Sequence, residues 1–105
     1  MKVFISQPMN GKTQEQILTE REAIIKHINE LYDDVEIIDS YIADYPPEGV
    51  SKESEGLWYL SKSIKMLSQA DLAYFAKGWE EARGCRIENT CAVEYGLEVI
   101  EDYRE

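Results

Sequence analysis

Glu88 is the residue whose type and setting could most directly do chemistry. It lies in the segment 71–100, DLAYFAKGWEEARGCRIENTCAVEYGLEVI, where an apolar run gives way to a polar stretch with two glycines and then to a helical pattern. On a helix beginning near Cys85, Glu88 shares one face with Cys91, Ala92 and Tyr95, at i+3, i+4 and i+7. That face is otherwise apolar, and Arg86, Asn89 and Glu94 mark the solvated side. A carboxylate on the inward stripe loses hydration. The positive end of the helix dipole would keep it ionised in the first turn, and so nucleophilic. The alternative is a helix rotated so that Glu88 is an ordinary solvated first-turn glutamate. Periodicity alone leaves both open.

A second set of candidates sits in two loops. Gln7-Pro8-Met9-Asn10-Gly11-Lys12 interrupts an apolar run with proline and glycine, and its backbone N–H groups at a helix start could hold an anion. Lys77–Arg83 contributes Gly78, Trp79, Glu80, Glu81 and Arg83. Lys12 and Arg83 are the cations best placed to pair with a phosphate, unless they are simply solvated. Trp79, a large apolar residue in a polar loop, could stack on a nucleobase or pack on a loop or subunit interface. Tyr41 and Tyr45 could reach the same region. His27 reads as surface or helix packing. Cys85 and Cys91 lie six apart on one predicted helix, where they cannot bridge each other. No CxxC pair or Cys/His cluster is present, which argues against a zinc site or redox dithiol. No metal or organic cofactor is implied.

The elements that must position these residues alternate regularly. Lys2–Ser6 suits a buried strand, and Thr13 with Gln16 forms a capping-box pattern opening a helix that runs to about Tyr32. Its stripe is Ile17, Ile24, Ile28 and Leu31, widened by Leu18 and Ile25. Val35–Asp39 reads as a second strand, and Ser40–Lys52, with Pro46, Pro47 and Gly49, as a long loop. A second helix from about Ser54 to Ala70 carries Leu57, Leu60, Ile64 and Leu67 inward, flanked by Trp58 and Met66. Asp71–Ala76 is an interior strand and Leu97–Ile100 a closing one. The order β-α-β-α-β-α-β predicts an α/β, flavodoxin- or Rossmann-like three-layer sandwich: a four-stranded parallel sheet of order 2-1-3-4 with helices on both faces. Ligands in such sheets sit beyond the strands' carboxyl ends where the winding reverses. Both loops and Glu88 converge there, which favours the functional reading of Glu88.

Composition bounds the partners. The chain has 105 residues and reads as one domain over 1–105, with 44% apolar residues and a net charge of −10. So acidic a surface repels nucleic-acid phosphates and anionic lipid, which excludes general binding to either, yet allows a small anion held in a local nest. The N-terminal apolar run is far too short for a signal sequence or a membrane span. Two unpaired thiols point to a reducing compartment, and the expected location is cytoplasmic. Trp58 and Met66, on the outer side of the second helix, suggest a homo-oligomer.

A strand running into a small-residue loop, then Ala70-Asp71 and an apolar run, then Gly84-x-x-x-Glu88 followed by Ala92-x-x-x-Gly96, resembles the nucleoside 2-deoxyribosyltransferase-like superfamily. That superfamily includes deoxyribosyltransferases and deoxynucleoside 5′-monophosphate N-glycosidases, and the segment GWEEARGCRIE is similar to that of its short phage and bacterial members. The resemblance follows the element order over nearly the whole chain, with specific motifs in residues 2–12 and 70–100. It implies that Glu88 is a nucleophile attacking C1′ of a (deoxy)ribosyl group and expelling the base through a covalent glycosyl-enzyme. It implies an active-site role for Asp71, for which a strand-entry cap is the alternative. Gly84, four residues before the nucleophile, would let backbone approach the sugar. The superfamily's second carboxylate, six residues before the nucleophile, falls here on Ala82, so Glu81 or Glu80 would have to supply the proton-transfer group. Catalytic candidates are therefore Glu88, Asp71 and Glu81. Substrate-binding candidates are Gln7, Pro8, Met9, Gly11, Lys12, Gly78, Trp79, Arg83 and Gly84. The partner expected is a nucleoside or nucleotide, acted on by an N-glycosidase or transferase or merely bound by a non-catalytic sensing module.

Overall fold

The computed structural model describes residues 1–38 and 46–103. Lys2–Ser6 form β1, Gln14–Leu31 α1, Glu36–Ile37 β2, Glu55–Leu67 α2, Leu72–Phe75 β3, Arg83–Glu94 α3 and Glu98–Glu101 β4. Single 3₁₀ turns at Lys52–Ser54 and Trp79–Glu81 lead into α2 and α3. All strand pairs are parallel and the sheet order is β2-β1-β3-β4, the topology that the alternation of elements predicts. Part of the expected long loop, including Tyr41 and Tyr45, lies outside the described residues, as do Asp39 and the last two residues.

Right-handed crossovers that step first to one side of β1 and then to the other put α1 on one face of the sheet and α2 and α3 on the opposite face. Side chains along each central strand therefore alternate between two cores. Val3, Ile5, Leu72 and Tyr74 pack against Ile24 and Ile28 of α1. Phe4, Ala73 and Phe75 pack against Leu67 of α2, Cys85 and Ala92 of α3, and Trp79. Thr13 closes the first turn of α1 as expected: Oγ1 accepts from Gln16 N–H, and Gln16 Oε1 accepts from Thr13 N–H.

Several inward stripes are narrower than periodicity predicts. Leu18 and Leu31 face solvent, because one helix resting on a twisted sheet contacts it along Ile24 and Ile28 and lifts away at its ends. Leu57, in the first turn of α2, is 68% exposed. Met66 packs on the core below α2, and Trp58 is half-buried, edge-on to Tyr59 with Lys62 over its ring. Neither is the free outer apolar surface expected for subunit pairing. Tyr95, expected beside Glu88, is 91% exposed because α3 ends at Glu94 and Tyr95 only caps it.

Ile28 is fully enclosed, whereas Leu18 is 52% exposed. Ile28→Ala should lower unfolding free energy in urea by about 2–5 kcal/mol. Leu18→Ala should change it by no more than about 0.5 kcal/mol. Equal costs would contradict the placement of α1.

Candidate functional site

The alternation along β1 sends Ser6 to the same side as Phe4, toward α3. There its hydroxyl donates to Glu88 Oε1 at 2.7 Å, both residues being buried. Of the two orientations open from the sequence, Glu88 takes the inward one. The helix, however, begins at Arg83 rather than near Cys85. Glu88 is thus in the second turn, where the helix dipole has largely faded. Contrary to the expectation from sequence, the helix end therefore does not hold this carboxylate ionised. Burial pushes the Glu88 carboxyl above its ordinary range, and the Ser6 hydrogen bond opposes that rise. Cys85, one turn before Glu88, is buried within range of both Ser6 and Glu88, and burial pushes its thiol up.

Beyond the carboxyl ends of β1 and β3 opens a cleft of about 890 Å³. Its walls are the end of β1 and the loop after it, Lys77 and Gly78 after β3, the start of α3, and one side of α2 at Gly56, Leu60 and Ser63. This is the crevice the strand order predicts. Gln7, Pro8, Met9, Lys12, Gly78, Glu81, Arg83, Gly84 and Glu88 all line it. Glu88 Oε2 takes no part in the Ser6 bond and is not an enclosed orphan atom, so it is the oxygen that meets the cleft.

Lys12, Lys77, Arg83 and Arg86 bring cations to the cleft, against the carboxylates of Glu81 and Glu88. The protein as a whole is strongly acidic, so this balance is local. Lys12 is not simply solvated: its Nζ lies 2.8 Å from Glu20 Oε2. Gln7, on the opposite side of the chain from Ser6, donates from Nε2 to the Ile17 carbonyl at 2.8 Å and tethers the loop to α1. Arg86, assigned to the solvated side from sequence, lines the cleft and donates to the Glu80 carbonyl. Glu80 does not line the cleft, and Glu81 is the acidic loop residue that reaches it.

Three candidates are not brought there. Asp71 stands at the opposite end of the sheet, where Oδ2 accepts from Lys2 N–H at 2.8 Å. The four residue-to-residue steps of β1 from Lys2 to Ser6 separate it from Glu88 by roughly 13 Å along the strand. It is the strand-entry cap of the alternative reading. Trp79 is buried, 5.6 Å from the Phe75 ring and part of the core beneath α3, so it is not a stacking platform. Gly11 takes φ +79° in the turn closed by Lys12 N–H to the Met9 carbonyl, and does not line the cleft. Gly84 does: a Cβ built there meets no protein atom within 4 Å. The sequence reading does not single out Ser6 and Cys85 as site residues. The signals were a hydroxyl closing an otherwise apolar strand, and a thiol one helical turn before an inward carboxylate.

Among the described residues, no group of three or more His, Cys, Asp or Glu side chains could hold a metal ion. No described helix is long and apolar enough to cross a membrane. Fold and cleft together define a doubly wound α/β protein with a buried, hydroxyl-bonded carboxylate at the point where the winding reverses. Residues 1–101 match the family described as a domain of unknown function, DUF4406, and the chain belongs to that family. No curated protein matches it.

The raised Glu88 carboxyl predicts a pH-dependent stability difference. Its native form holds a proton to higher pH than the unfolded chain does. The stability this contributes is present below the ordinary carboxylate range and lost as pH rises through the native value. Glu88→Gln keeps shape and removes the charge. Its Tm should exceed the wild type's at neutral pH, and the gap should close as pH falls toward about 4. A gap that does not vary with pH would show that Glu88 is not titrating in a buried setting.

Proposed function

We propose that the protein cleaves or exchanges the N-glycosidic bond of a (deoxy)nucleoside or its 5′-monophosphate, with Glu88 as nucleophile. The observation that carries this reading is the Glu88 carboxylate, withdrawn from bulk water, held by Ser6 at one oxygen and open to the cleft at the other. The resemblance to the nucleoside 2-deoxyribosyltransferase-like superfamily supplies the reaction. Oε2 attacks C1′, the C1′–N bond breaks with its electron pair leaving on the base, and that nitrogen takes a proton from Glu81 or water. Water or a second base then attacks C1′ of the glycosyl ester and releases Glu88. A carboxylate of raised basicity is the stronger nucleophile once ionised.

Two further features support a sugar phosphate in the cleft. Arg83 and Arg86 flank the start of α3, where N-cap Ala82 offers no side-chain acceptor to the first N–H groups. Gly84 leaves room on the cleft wall that no protein atom requires. Asp71 has no part in this reading, because of its place at the far end of the sheet.

A second reading, a nucleotide-binding module without turnover, is favoured by one observation. Ala82 occupies the position of the superfamily's second carboxylate, and Glu81 beside it is exposed on the cleft rim.

Chromatographic detection of free base separates the two readings. Wild type incubated with ribo- and deoxyribonucleosides and their 5′-monophosphates, with and without a second base, should release base. Glu88→Gln should lose at least about a thousandfold in rate, as removal of a covalent nucleophile does. Activity should fall on the acid side through a value above the ordinary carboxylate range, because only ionised Glu88 attacks. Silence across the panel, with a thermal shift from one nucleotide, would establish the binding module instead.

Gly84→Ala probes the same cleft without touching a charge. A methyl group there meets open space and alanine is the better helix former, so Tm should hold or rise slightly. Nucleotide binding should weaken by about tenfold if the sugar lies against this turn. Unimpaired binding would move the ligand to another wall.

A further inference from the structure

Ser6 holds the nucleophile but has no step of its own in the proposed reaction. It is less than 2% exposed, it is the last residue of β1, and its hydroxyl has one proton. That proton goes to Glu88 Oε1 at 2.7 Å, a charge-assisted length when the carboxylate is ionised. Cys85, one turn earlier on α3, is buried within range of the same hydroxyl. The backbone of β1 cannot shift to release this contact, because β1 is laddered to β2 on one side and to β3 on the other, with Ser6 opposite Phe75.

We propose that Ser6 is a positioning residue for Glu88: by engaging Oε1 it fixes Oε2 as the attacking oxygen and favours the charged carboxylate against the pull of burial. This rests on the reading of the cleft as a glycosyl-transfer site. The physical reason is a competition. Burial favours the neutral acid, and the Ser6 donor favours the anion. The helix dipole cannot do that work, since Glu88 lies past the first turn. Among the described residues, Ser6 alone donates a hydrogen bond to the carboxylate, while Lys12 at the cleft is engaged with Glu20. A hydroxyl also suits the second half of the reaction. When Oε2 carries the sugar, Ser6 still donates to the ester carbonyl oxygen Oε1 and steadies charge returning to the carboxylate as the ester opens.

The test reads Glu88 directly and then its chemistry. Protein labelled with ¹³C at glutamate side-chain carboxyls is titrated by NMR, with the Glu88 signal identified by its loss in Glu88→Gln. In Ser6→Ala the Glu88 midpoint should move upward from the wild-type value, and in Ser6→Thr, which restores the hydroxyl, it should return. An unmoved midpoint in Ser6→Ala overturns the proposal. Should Ser6→Ala lose its dispersed amide spectrum, Ser6→Cys, somewhat larger and a weaker donor, carries the same expected upward shift.

In the base-release assay the acid limb of Ser6→Ala should move in the same direction. Above that limb kcat should fall by about tenfold to a hundredfold with KM little changed, and Ser6→Thr should recover most of it. Equal losses in kcat at every pH, with no displaced limb, would also overturn the proposal. A wild type that releases no base from any nucleotide removes the reading of the cleft, while the NMR titration still decides what Ser6 does to Glu88.

Discussion

Strand β1 lies between β2 and β3 and is covered on both faces, so each of its residues is committed to one side of the molecule by parity alone. Val3 and Ile5 belong to the α1 core, and Phe4 belongs to the core under α2 and α3. Where the apolar run ends, the same parity governs polar groups. Ser6 turns to α3 and meets Glu88, and Gln7 turns to α1 and bonds the Ile17 carbonyl. A one-residue slip of this strand would exchange these partners and bury each polar group against the wrong helix. The register of β1 is thus the constraint on which both cores and the cleft depend.

β4 repeats the pattern with a different outcome. Asp102, just past its end, lies on the α1 side and accepts from the Tyr74 hydroxyl at 2.6 Å in a buried setting. Glu101 lies on the other side and accepts from Asn89 of α3. Among the described residues, two buried acids, Glu88 and Asp102, thus lie near the sheet's carboxyl edge, one on each face. Glu88 fronts the larger cleft beside cations, while Asp102 borders a smaller cleft of about 580 Å³ that shares Lys12, Lys77 and Gly78 with the first. The short loop segment at Lys77 and Gly78 is the ridge between the two, and Gly78 turns there with φ +87°.

The setting of Glu88 sets stability against the chemistry proposed for it. A carboxylate in the core with one hydroxyl donor is held with less than the hydration it gives up, which is why its proton affinity rises. Glutamine in its place would satisfy the same cavity without that cost. Retaining an acid there suits chemistry better than packing, since buried charges without a full set of partners are a poor way to hold a fold together.

The sequence by itself determined the element order, the parallel sheet and the crevice at its winding reversal, because periodicities of 2 and 3.6, a capping box and glycine-rich loops are local signals with direct geometric consequences. It also placed Glu88 on the inward face of its helix as one of two open readings, and named most of the loop residues that line the cleft. Only the tertiary structure decided which candidates share a space. Asp71 stands beside an apolar strand in sequence as plausibly as Ser6 does, yet parallel pairing sends one to each end of the sheet. Trp79 reads as a loop residue until the 3₁₀ turn folds it over Phe75. Ser6 gains its meaning from α3, more than 75 residues on, because local spacing shows a hydroxyl closing an apolar strand but not the carboxylate it meets.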